Sequence, residues 1–474
     1  MARPGQVGEA SAGFTAPYLT PELLARHDRP GPRYTSYPTA LEFTPDFGPS
    51  EHQARLSGLA ATRDPLALYV HLPFCESRCS FCACHVVVTS NESLASRYVD
   101  AVISEIDTVA KILGDGHRFA QLHWGGGTPT YHDPEILTRV HQAILHRFEP
   151  GPGAEMAIEV DPRVTTTDHL EALAGLGFNR LSVGVQDVDD GVQELIGRHQ
   201  TREQTDRLVA DARHHGFSSI NLDLVYGLPG QSVDSFERTL DAVLELRPER
   251  LAVYSFAYVP WMRPHQRRID PGSLPDRDTR FDLLCQLVTT LTRAGYMHIG
   301  MDHFALESDP LAVAARDHSL ARNFMGYTTI GDADVVAFGT SAISEIGGAH
   351  AQNHRRLADY LSVAAAGSPP TERGLQPSAD DLIRRKVISE LMCNGRVHLD
   401  VIAARFDIDP RRYFAGEIET LTGPGGLVDE GLATVSGAEV VATDLGRLFV
   451  RRLAMVFDRY LTVESDKPRF SRTI

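Results

Sequence analysis

The chain has 474 residues, 42% hydrophobic and 23% charged, with a formal net charge of −16 at pH 7. This length predicts two or three domains, and the acidic balance argues against nucleic acid as a main partner, because phosphate binding needs a basic surface. No apolar run approaches the ~20 residues that span a bilayer. The N-terminus lacks the apolar segment of a secretory signal. The cysteines are bunched, so we expect a cytoplasmic protein without a disulfide framework.

The first part of the chain, residues 1–55, is predicted to form an arm that contacts the active site. Two prolines and two tyrosines in Gly-Pro-Arg-Tyr-Thr-Ser-Tyr-Pro-Thr (31–39) favour an extended, ordered segment over a helix. A helix is predicted near Ser50–Ala61.

Beyond the arm, apolar β-branched runs alternate with amphipathic helical patterns. The predicted strands are Leu66–Phe74, Gln121–Trp124, Glu155–Val160, Arg180–Val185, Ser219–Val225 and Arg250–Tyr258. The predicted helices are Ser93–Leu113, Pro134–Arg147, Asp168–Leu176, Thr201–His215 and Ser232–Leu246. This alternation indicates βα units around a parallel sheet. The sequence therefore predicts an α/β fold with a full or partial six-stranded barrel.

Polar or glycine-rich elements follow these strands where each one ends. The first strand runs into Cys75, and later strands end in Gly125–Thr130, Glu159–Asp161, Gln186–Asp187 and a segment that contains Asp223. In barrels of parallel strands the C-terminal strand ends build the active site. We therefore expect these elements to lie on the same face of the barrel.

A Ser-Pro-Pro-Thr stretch at 368–371 predicts a linker between a catalytic domain, residues 56–365, and a C-terminal domain, residues 370–474. The elements predicted there are a helix from Ser378 to about Cys393, two shorter helices, an apolar pair at Leu427–Val435 and Glu439–Thr443, and a final helix near Leu445–Leu461. This order predicts a small, mostly helical, winged-helix-like domain.

Four of the six cysteines, Cys75, Cys79, Cys82 and Cys84, fall within one short stretch, and the first three have the spacing C-x-x-x-C-x-x-C. Three thiolates on one loop can ligate three irons of a four-iron cluster and leave the fourth iron open. Structural zinc usually takes two separated pairs, often with histidine. A redox pair at Cys79 and Cys82 would leave Cys75 unexplained. The spacing and the preceding strand favour an iron–sulfur cluster.

With Phe81 before its third cysteine, this loop resembles that of the radical S-adenosylmethionine (radical SAM) superfamily. Within it, the chain resembles the oxygen-independent coproporphyrinogen III oxidases (coproporphyrinogen dehydrogenases), for which a Cys-x-Cys ending such as that at Cys84 is typical. The matching segments are residues 32–43, 69–75, 123–131, 159–163, 184–187, 299–305, 322–329 and 470–472.

The resemblance implies a radical SAM partial (β/α)6 barrel and a [4Fe–4S] cluster ligated by Cys75, Cys79 and Cys82. In such oxidoreductases the open iron binds the amino and carboxylate groups of SAM, and the reduced cluster splits SAM into methionine and a 5′-deoxyadenosyl radical. The resemblance further implies that this radical abstracts a propionate β-hydrogen of coproporphyrinogen III. Loss of CO2 and one electron then gives a vinyl group, twice, yielding protoporphyrinogen IX in heme biosynthesis.

The same resemblance assigns catalytic roles to Tyr69, Glu159 and Asp223. Glu159 and Asp223 suit the ammonium group and ribose hydroxyls of SAM by charge and hydrogen bonding. It implies two bound SAM molecules, with SAM contacts at Tyr69, Phe81, Gly126, Gly127, Thr128, Glu159, Gln186, Arg198, Asp223, Ala257, Phe324, Met325 and Ile343. Some family members have glutamine where Met325 stands, a position associated with the second SAM.

A substrate with four carboxylates needs basic residues around it in this acidic protein. The candidate substrate residues are Arg33, Tyr37, Arg263, Arg267 and Cys84. The run at residues 263–268 fits a solvated surface loop equally well. The other implied partner is a low-potential electron donor of unknown identity, and a monomer is expected.

Two other functions stay open at this point. Relatives that resemble this family act as methyltransferases or cyclopropanases, which use a methylene radical from the second SAM. Another branch acts as heme-binding chaperones, but it typically lacks both the Cys-x-Cys ending and the Pro-Arg-Tyr-Thr-Ser-Tyr-Pro segment that this chain has at 32–38.

Overall fold

Strands and helices alternate through most of the chain. The computed structural model describes residues 19–62, 64–462 and 470–472, so residues 1–18 of the predicted arm lie outside it. In chain order the elements are α1 Pro21–His27, α2 Pro49–Leu59, β1 Leu66–Leu72, β2 Phe74–Cys75, β3 Val87–Val88, α3 Glu92–Leu113, β4 Arg118–Gly126, α4 Pro134–Leu145, β5 Glu149–Val160, α5 Thr167–Gly175, β6 Arg180–Gln186, α6 Asp190–Ile196, α7 Arg202–His214, β7 Ser219–Tyr226, α8 Val233–Leu246, β8 Arg250–Ser255, α9 Arg277–Arg293, β9 Tyr296–Gly300, β10 His303–Leu306, α10 Pro310–Arg316, β11 Ala321–Asn323, β12 Gly326–Thr328, β13 Val335–Phe338, β14 Ile343–Ile346, β15 Ala349–Asn353, α11 Leu357–Ala365, β16 Thr371–Leu375, α12 Ala379–Asn394, β17 Arg396–His398, α13 Leu399–Phe406, α14 Pro410–Tyr413, α15 Ala415–Thr422, β18 Ala433–Ser436, β19 Glu439–Ala442, α16 Asp444–Leu448 and α17 Val450–Val456.

A twelve-stranded sheet, ordered β16-β15-β14-β13-β1-β4-β5-β6-β7-β8-β10-β9, organises the fold. Its centre is the run of six parallel strands from β1 to β8, which confirms the predicted (β/α)6 unit. β13 adds a further parallel strand beside β1, and antiparallel strands extend both sides. Because β16 and β9 lie at opposite ends of the strand order, the barrel is partial, as predicted.

Several of the helices begin at side chains that cap them. Thr201, Ser232 and Ser378, each the first residue of a predicted helix, are the N-caps of α7, α8 and α12, and their hydroxyls accept hydrogen bonds from backbone N–H groups. The 22-residue α3 begins at the Asn91 cap and buries one apolar face against the barrel. In the described part of the chain, none of the helices combines the length and apolar character needed to cross a membrane.

The C-terminal helices carry a three-stranded antiparallel sheet, ordered β17-β19-β18. The predicted continuous final helix is wrong, because α16 and α17 are separated at Phe449 (φ −107°, ψ 21°). Gly446 in α16 packs so closely that a Cβ there would lie 1.8 Å from the Leu432 carbonyl oxygen. Phe449 is buried, with its ring centroid 5.2 Å from that of His27. These contacts hold α16 in place and interrupt the helix at Phe449, so α17 begins as a separate helix.

Strand pairing and core packing cross the sequence positions at which the predicted domains meet. The predicted linker at 368–371 leads directly into β16, which pairs with β15 in the large sheet. Gly374 of β16 also exchanges two backbone hydrogen bonds with Thr44 of the arm (2.8 and 3.0 Å). The helix α2 crosses the predicted boundary at residue 55, and its Leu56 belongs to the barrel core. Because β16 contains glycine and charged residues, its sequence carries no clear strand pattern.

The arm joins the barrel to the C-terminal helices. Tyr34 and Tyr37 are buried in the apolar core that the C-terminal helices form. The Tyr34 hydroxyl donates to Oδ2 of Asp458 (2.9 Å), whereas Arg33 pairs with Asp302 on the barrel side. Arm residues thus contact both parts of the protein.

Glu105 of α3 anchors the strand ends on the β13 side of the barrel. Its carboxylate is 1% exposed and accepts hydrogen bonds from the Tyr360 hydroxyl (2.6 Å), the Gly339 N–H (2.8 Å) and the Asn353 amide (2.6 Å). Burial raises the pKa of this carboxyl to about 7, although the three donors oppose that change. A carboxylate buried in this way is stable only while all three hydrogen-bond donors remain in place.

We expect Glu105→Ala to lower the free energy of unfolding by about 3 kcal/mol or more, because it leaves buried donors without an acceptor. Tyr360→Phe removes one donor and should cost about 1 kcal/mol. Chemical denaturation of the two variants beside the wild-type chain measures both values. Equal losses for the two variants would contradict the anchoring role.

Candidate active site

The cysteine loop leaves the barrel directly after β1. Cys75 ends β2, which pairs in parallel with β3, so the loop starts and returns at neighbouring positions. The loop is tightened by hydrogen bonds from the Cys82 N–H to the Cys79 carbonyl oxygen (3.3 Å) and from Arg78 to the Val86 carbonyl oxygen (2.8 Å). Cys79 is buried, Cys75 and Cys82 are half-buried, and Cys84 is exposed.

Hydrogen-bond donors surround two of the predicted ligand sulfurs. Nη atoms of Arg163 and Arg198 lie 3.9 and 3.8 Å from the Cys79 Sγ, and the Thr128 hydroxyl lies 3.5 Å from the Cys75 Sγ. Positive charge and hydrogen bonds stabilise thiolate over thiol. Burial nevertheless raises the pKa of Cys75 to about 11, so in the absence of a metal it is a thiol. Coordination to a metal deprotonates such a thiol.

The ligand positions of this loop suit an iron–sulfur cluster. A single zinc ion would draw its thiolates to ~2.3 Å from one centre. A four-iron cluster instead binds each of its thiolates to a different iron, so the sulfurs stay apart. The donors around Cys75 and Cys79 match the thiolates that such a cluster needs.

Three consecutive glycines, the last two residues of β4 and the residue after it, are required by protein contacts. A Cβ on Gly125 would lie 2.6 Å from the Glu159 carboxylate, and one on Gly127 would lie 2.5 Å from the backbone of Pro73. Gly126 has a φ of +120°, and a Cβ on it would lie 2.7 Å from the ring of His71. The sequence predicted bare backbone for a ligand. The structure adds that these glycines let β1, β4 and β5 approach one another.

Tyr69, His123 and Glu159 form one polar row across β1, β4 and β5. The Tyr69 ring stacks on that of His123 (centroids 6.0 Å apart, 16° between planes), and Nε2 of His123 is hydrogen-bonded to Glu159 (3.2 Å). The Tyr69 hydroxyl is 3.0 Å from Nδ1 of His71. Burial opposes ionisation of Glu159, but His123 and the Gly126 N–H keep its pKa below the usual value. Glu159 is therefore an anion at neutral pH.

Asp223 of β7 continues this row, but its pKa is raised where that of Glu159 is lowered. It accepts hydrogen bonds from the Ser182 hydroxyl (3.1 Å) and the Asn221 amide (2.8 Å). Burial, and next the charge of Glu159, raise the pKa of Asp223 to about 7. One face of the barrel therefore carries a permanent carboxylate and a second one that titrates near neutral pH.

Arg198 and Gln186 lie together beside Gly184, where a Cβ would be 3.1 and 2.9 Å from their side-chain nitrogens. Arg198 is buried, pairs with Asp161 (3.1 Å) and donates to the Gly184 carbonyl oxygen (2.7 Å). Asp161 also binds Arg163 (2.6 Å). Burial alone would raise the pKa of Asp161, but the charges of Arg198 and Arg163 outweigh that effect and keep the pKa low. Gln186 ends β6 with a φ of +71°. Arg198, predicted to contact SAM, thus has its charge compensated within the protein.

A loop after β8 packs against the cysteine loop, a feature that the sequence did not reveal. The buried Gln266 side chain donates to the carbonyl oxygens of Ala257 (3.0 Å) and Phe81 (3.4 Å). The His265 ring is hydrogen-bonded to the Cys82 carbonyl oxygen (2.8 Å). Phe81 packs on the apolar cluster that includes Phe256. Ala257 and Phe81, predicted to contact SAM, are therefore joined through Gln266.

The remaining predicted SAM contacts lie elsewhere in the chain. Phe324 and Met325 form the turn between β11 and β12, where the Met325 N–H donates to Oδ1 of Asn323 (2.9 Å). Ile343 begins β14. Among the described residues, no hydrogen bond or ion pair links this group to Glu159.

The candidate substrate residues separate into different environments. Arg33 is paired with Asp302, and the Tyr37 hydroxyl accepts a hydrogen bond from the Arg459 N–H (3.3 Å). Arg267 and Cys84 are exposed. Arg263 instead lines a cavity of about 600 Å3, together with His85, Gln352, Arg355, Arg356 and Arg373. Sequence reasoning missed the last three arginines, although the Arg355-Arg356 pair was visible as a local positive charge.

Comparison with known proteins agrees with this arrangement. The Radical SAM superfamily model matches residues 69–243, and the model described as the HemN C-terminal domain matches residues 378–449. Oxygen-independent coproporphyrinogen III oxidase of Escherichia coli K12 is 43% identical over 453 residues, which cover 95% of this chain and 98% of that protein. The Pseudomonas aeruginosa protein of the same name is 41% identical over 456 residues, covering 96% of this chain and 98% of that one.

A solved structure extends the similarity to three dimensions. Coproporphyrinogen III oxidase (HemN) from Escherichia coli, described as a radical SAM enzyme, superimposes with a TM-score of 0.86 at 43% identity. The match covers 90% of this chain and 97% of that one. The chain belongs to the oxygen-independent coproporphyrinogen III oxidase family of the radical SAM superfamily.

Proposed function

We propose that this protein oxidatively decarboxylates two propionates of coproporphyrinogen III, giving the two vinyl groups of protoporphyrinogen IX in heme biosynthesis. The observation that carries the proposal is the three-cysteine loop at the C-terminal end of β1, in a chain that aligns along nearly its whole length with oxidases of that name. Radical chemistry suits this reaction, because the β-carbon of a propionate has no acidic hydrogen for a base to remove.

The family implies a [4Fe–4S] cluster and SAM, and the residues present fit both. Cys75, Cys79 and Cys82 would hold the cluster. The cluster and SAM together supply a 5′-deoxyadenosyl radical that can take hydrogen from an unactivated carbon. Glu159, an anion beside the Gly126 N–H, is suited to bind the ammonium group of SAM. Asp223, when ionised, is suited to accept hydrogen bonds from ribose hydroxyls.

Further SAM contacts belong to the same proposal. Tyr69 presents a ring and a hydroxyl beside Glu159, and Phe81 forms an apolar wall on the cysteine loop. The other proposed contacts near the barrel are Gly126, Gly127, Thr128, Gln186, Arg198 and Ala257. We assign a second SAM to the side that contains Phe324, Met325 and Ile343. Because two propionates react, two SAM molecules match the number of radicals consumed.

We also propose a cytoplasmic, monomeric enzyme that takes electrons from a low-potential donor. The six cysteines lie among the described residues as free thiols, which fits a reducing compartment. Methyl transfer, cyclopropanation and heme delivery are not favoured, because the close relatives, similar along nearly their whole length, are named as oxidases.

Separate replacement of Cys75, Cys79 and Cys82 by alanine should remove most of the bound iron and sulfide, because each thiolate serves a different iron. Cys84→Ala is the matched control from the same loop and should retain the cluster. Iron and sulfide analysis after anaerobic reconstitution measures the effect. Loss of the cluster in the Cys84 variant, with retention in any of the other three, would contradict the ligand assignment.

The affinity for SAM should rise with pH between about 6 and 8. Asp223, with a pKa of about 7, is neutral below that pH and becomes a carboxylate, which is a stronger hydrogen-bond acceptor, as the pH rises. The rise should be up to about tenfold, since each pH unit below the pKa lowers the ionised fraction by that factor. Equilibrium dialysis of labelled SAM with the cluster-loaded protein measures it.

Two variants test the assignment of this titration. Asp223→Asn should bind SAM more weakly and with little pH dependence. Ser182→Ala removes a donor that favours the carboxylate, so its pKa should rise and the transition should move to higher pH. An unchanged pH profile in the Asp223 variant would assign the titration to another group.

The reaction itself is tested by anaerobic turnover of coproporphyrinogen III with SAM and a chemical reductant. We expect two CO2 per substrate, a product that carries two vinyl groups, and two SAM molecules cleaved per product. Mass spectrometry separates this product from a methylated or cyclopropanated one. Cluster-loaded protein that cleaves SAM but forms no vinyl group would overturn the proposal.

A further inference from the structure

A basic cavity adjoins the cysteine loop. Its wall contains His85, the residue after Cys84, and Arg263, which shares a loop with the His265 that is hydrogen-bonded to Cys82. The volume of about 600 Å3 falls within the range of ~300–1,000 Å3 that is typical of ligand pockets. The cavity is therefore next to the proposed cluster and can hold a ligand of cofactor size.

Hydrogen bonds connect this cavity to the polar row inside the barrel. Nε2 of His71 donates to the carbonyl oxygen of His85 (3.0 Å), and Nδ1 of His71 accepts from the Tyr69 hydroxyl (3.0 Å). Burial lowers the pKa of His71 to about 4, so the ring is neutral and can do both. A ligand in the cavity would thus lie against the same structural unit as the proposed SAM site.

The cavity concentrates positive charge in a protein whose net charge is −16. Four arginines line it, namely Arg263, Arg355, Arg356 and Arg373. Arg355 pairs with Glu372 (3.1 Å), the one carboxylate that the described part of the lining contains, and Arg356, the N-cap of α11, lies 3.8 Å from the Asp359 carboxylate. Within the described residues, no carboxylate lies within ion-pair distance of Arg263 or Arg373. Both side chains are half-buried, and such cations are unfavourable without a counter-charge.

Arg373 is held in place by neutral groups. Its Nε donates to Oε1 of Gln352 (2.8 Å), and its guanidinium lies 5.9 Å from the centroid of the Phe43 ring. Gln352 is itself fixed by a hydrogen bond to the Ser341 carbonyl oxygen (3.2 Å). These contacts orient the guanidinium without neutralising it. A planar group held in this way is suited to bind a carboxylate through two parallel hydrogen bonds.

On the basis of the proposed function, we propose that Arg263 and Arg373 bind two of the four carboxylates of the tetrapyrrole substrate in this cavity. Two guanidinium groups without counter-charges match a ligand with several carboxylates. SAM does not match, because it has one carboxylate and two positive groups, and a cavity lined by arginines repels its net charge.

The two arginines come from separate parts of the chain. Arg263 lies on the loop after β8, and Arg373 lies on β16. Two anchors on separate segments hold a flat macrocycle against rotation as well as translation, and such orientation accelerates a reaction between bound groups. Arg263 and Arg373 would therefore be positioning residues that decide which propionates face the barrel.

Binding of coproporphyrin III, the stable oxidised form with the same four carboxylates, tests the proposal. Cluster-loaded protein with SAM is titrated anaerobically while the porphyrin fluorescence is followed. We expect Arg263→Gln and Arg373→Gln each to weaken binding by about 10- to 100-fold, the effect of losing one hydrogen-bonded charge partner. In turnover, KM for the porphyrinogen should rise by a similar factor, with kcat less affected.

Two controls separate recognition of the carboxylates from a change in structure. Arg97→Gln, on the exposed side of α3, should bind coproporphyrin III as the wild-type chain does. Coproporphyrin III tetramethyl ester, which has no free carboxylate, should bind equally to the wild-type chain and to both cavity variants. Arg263→Lys and Arg373→Lys keep the charge and should recover part of the affinity.

The outcomes distinguish this inference from the proposed function. Wild-type affinity in both glutamine variants, or an equal loss of affinity for the ester, would overturn the cavity assignment while turnover by the wild-type chain still supports the reaction. The assignment is supported if only the two cavity variants bind the tetracarboxylate weakly while their iron content and melting temperature are unchanged. Absence of vinyl products from the wild-type chain would instead refute the function.

Discussion

The close approach of three strand ends is the constraint on which the rest of the site depends. The triple glycine at the end of β4 leaves room for the Glu159 carboxylate on one side and for the backbone that leads into the cysteine loop on the other. The Gly126 N–H then donates to Glu159 (3.1 Å). Any side chain at these glycines would separate β1, β4 and β5. The cysteine loop and the first carboxylate would then no longer share one face of the barrel.

The charges on that face are divided between two regions. In the barrel, Glu159 is held as an anion and Asp223 titrates near pH 7, which suits a cationic ligand. Beyond His85 the lining becomes basic, which suits an anionic ligand. The neutral His71 lies between them and is hydrogen-bonded to both sides. A cationic cofactor and a polycarboxylate substrate can therefore be bound next to each other in an acidic protein, each by groups of opposite charge.

The central strands and the cluster loop could be predicted from the sequence, because long β-branched runs and tight cysteine spacing are strong local signals. Predicted and observed bounds of β7 differ by one residue at its C-terminal end. The strands β9, β10 and β14–β16, which extend the two sides of the sheet, are short and contain polar residues, so their pairing depends on tertiary contacts that no local pattern reveals. The arginine cavity was missed for a related reason. Arg263 was a candidate on the strength of its basic run, but Arg373 is 110 residues further along the chain, and nothing in the sequence places the two at one cavity.

The central claim is that the three-cysteine loop and the polar row beside it bind one ligand together. Electron–nuclear double resonance on the reduced, cluster-loaded protein tests this claim most directly, with SAM that carries 15N in its amino group and 17O in its carboxylate. We expect hyperfine coupling to both labels, which Glu159→Gln weakens and Arg97→Gln leaves unchanged. Absence of coupling to either label in the wild-type protein, at full cluster occupancy, would contradict it.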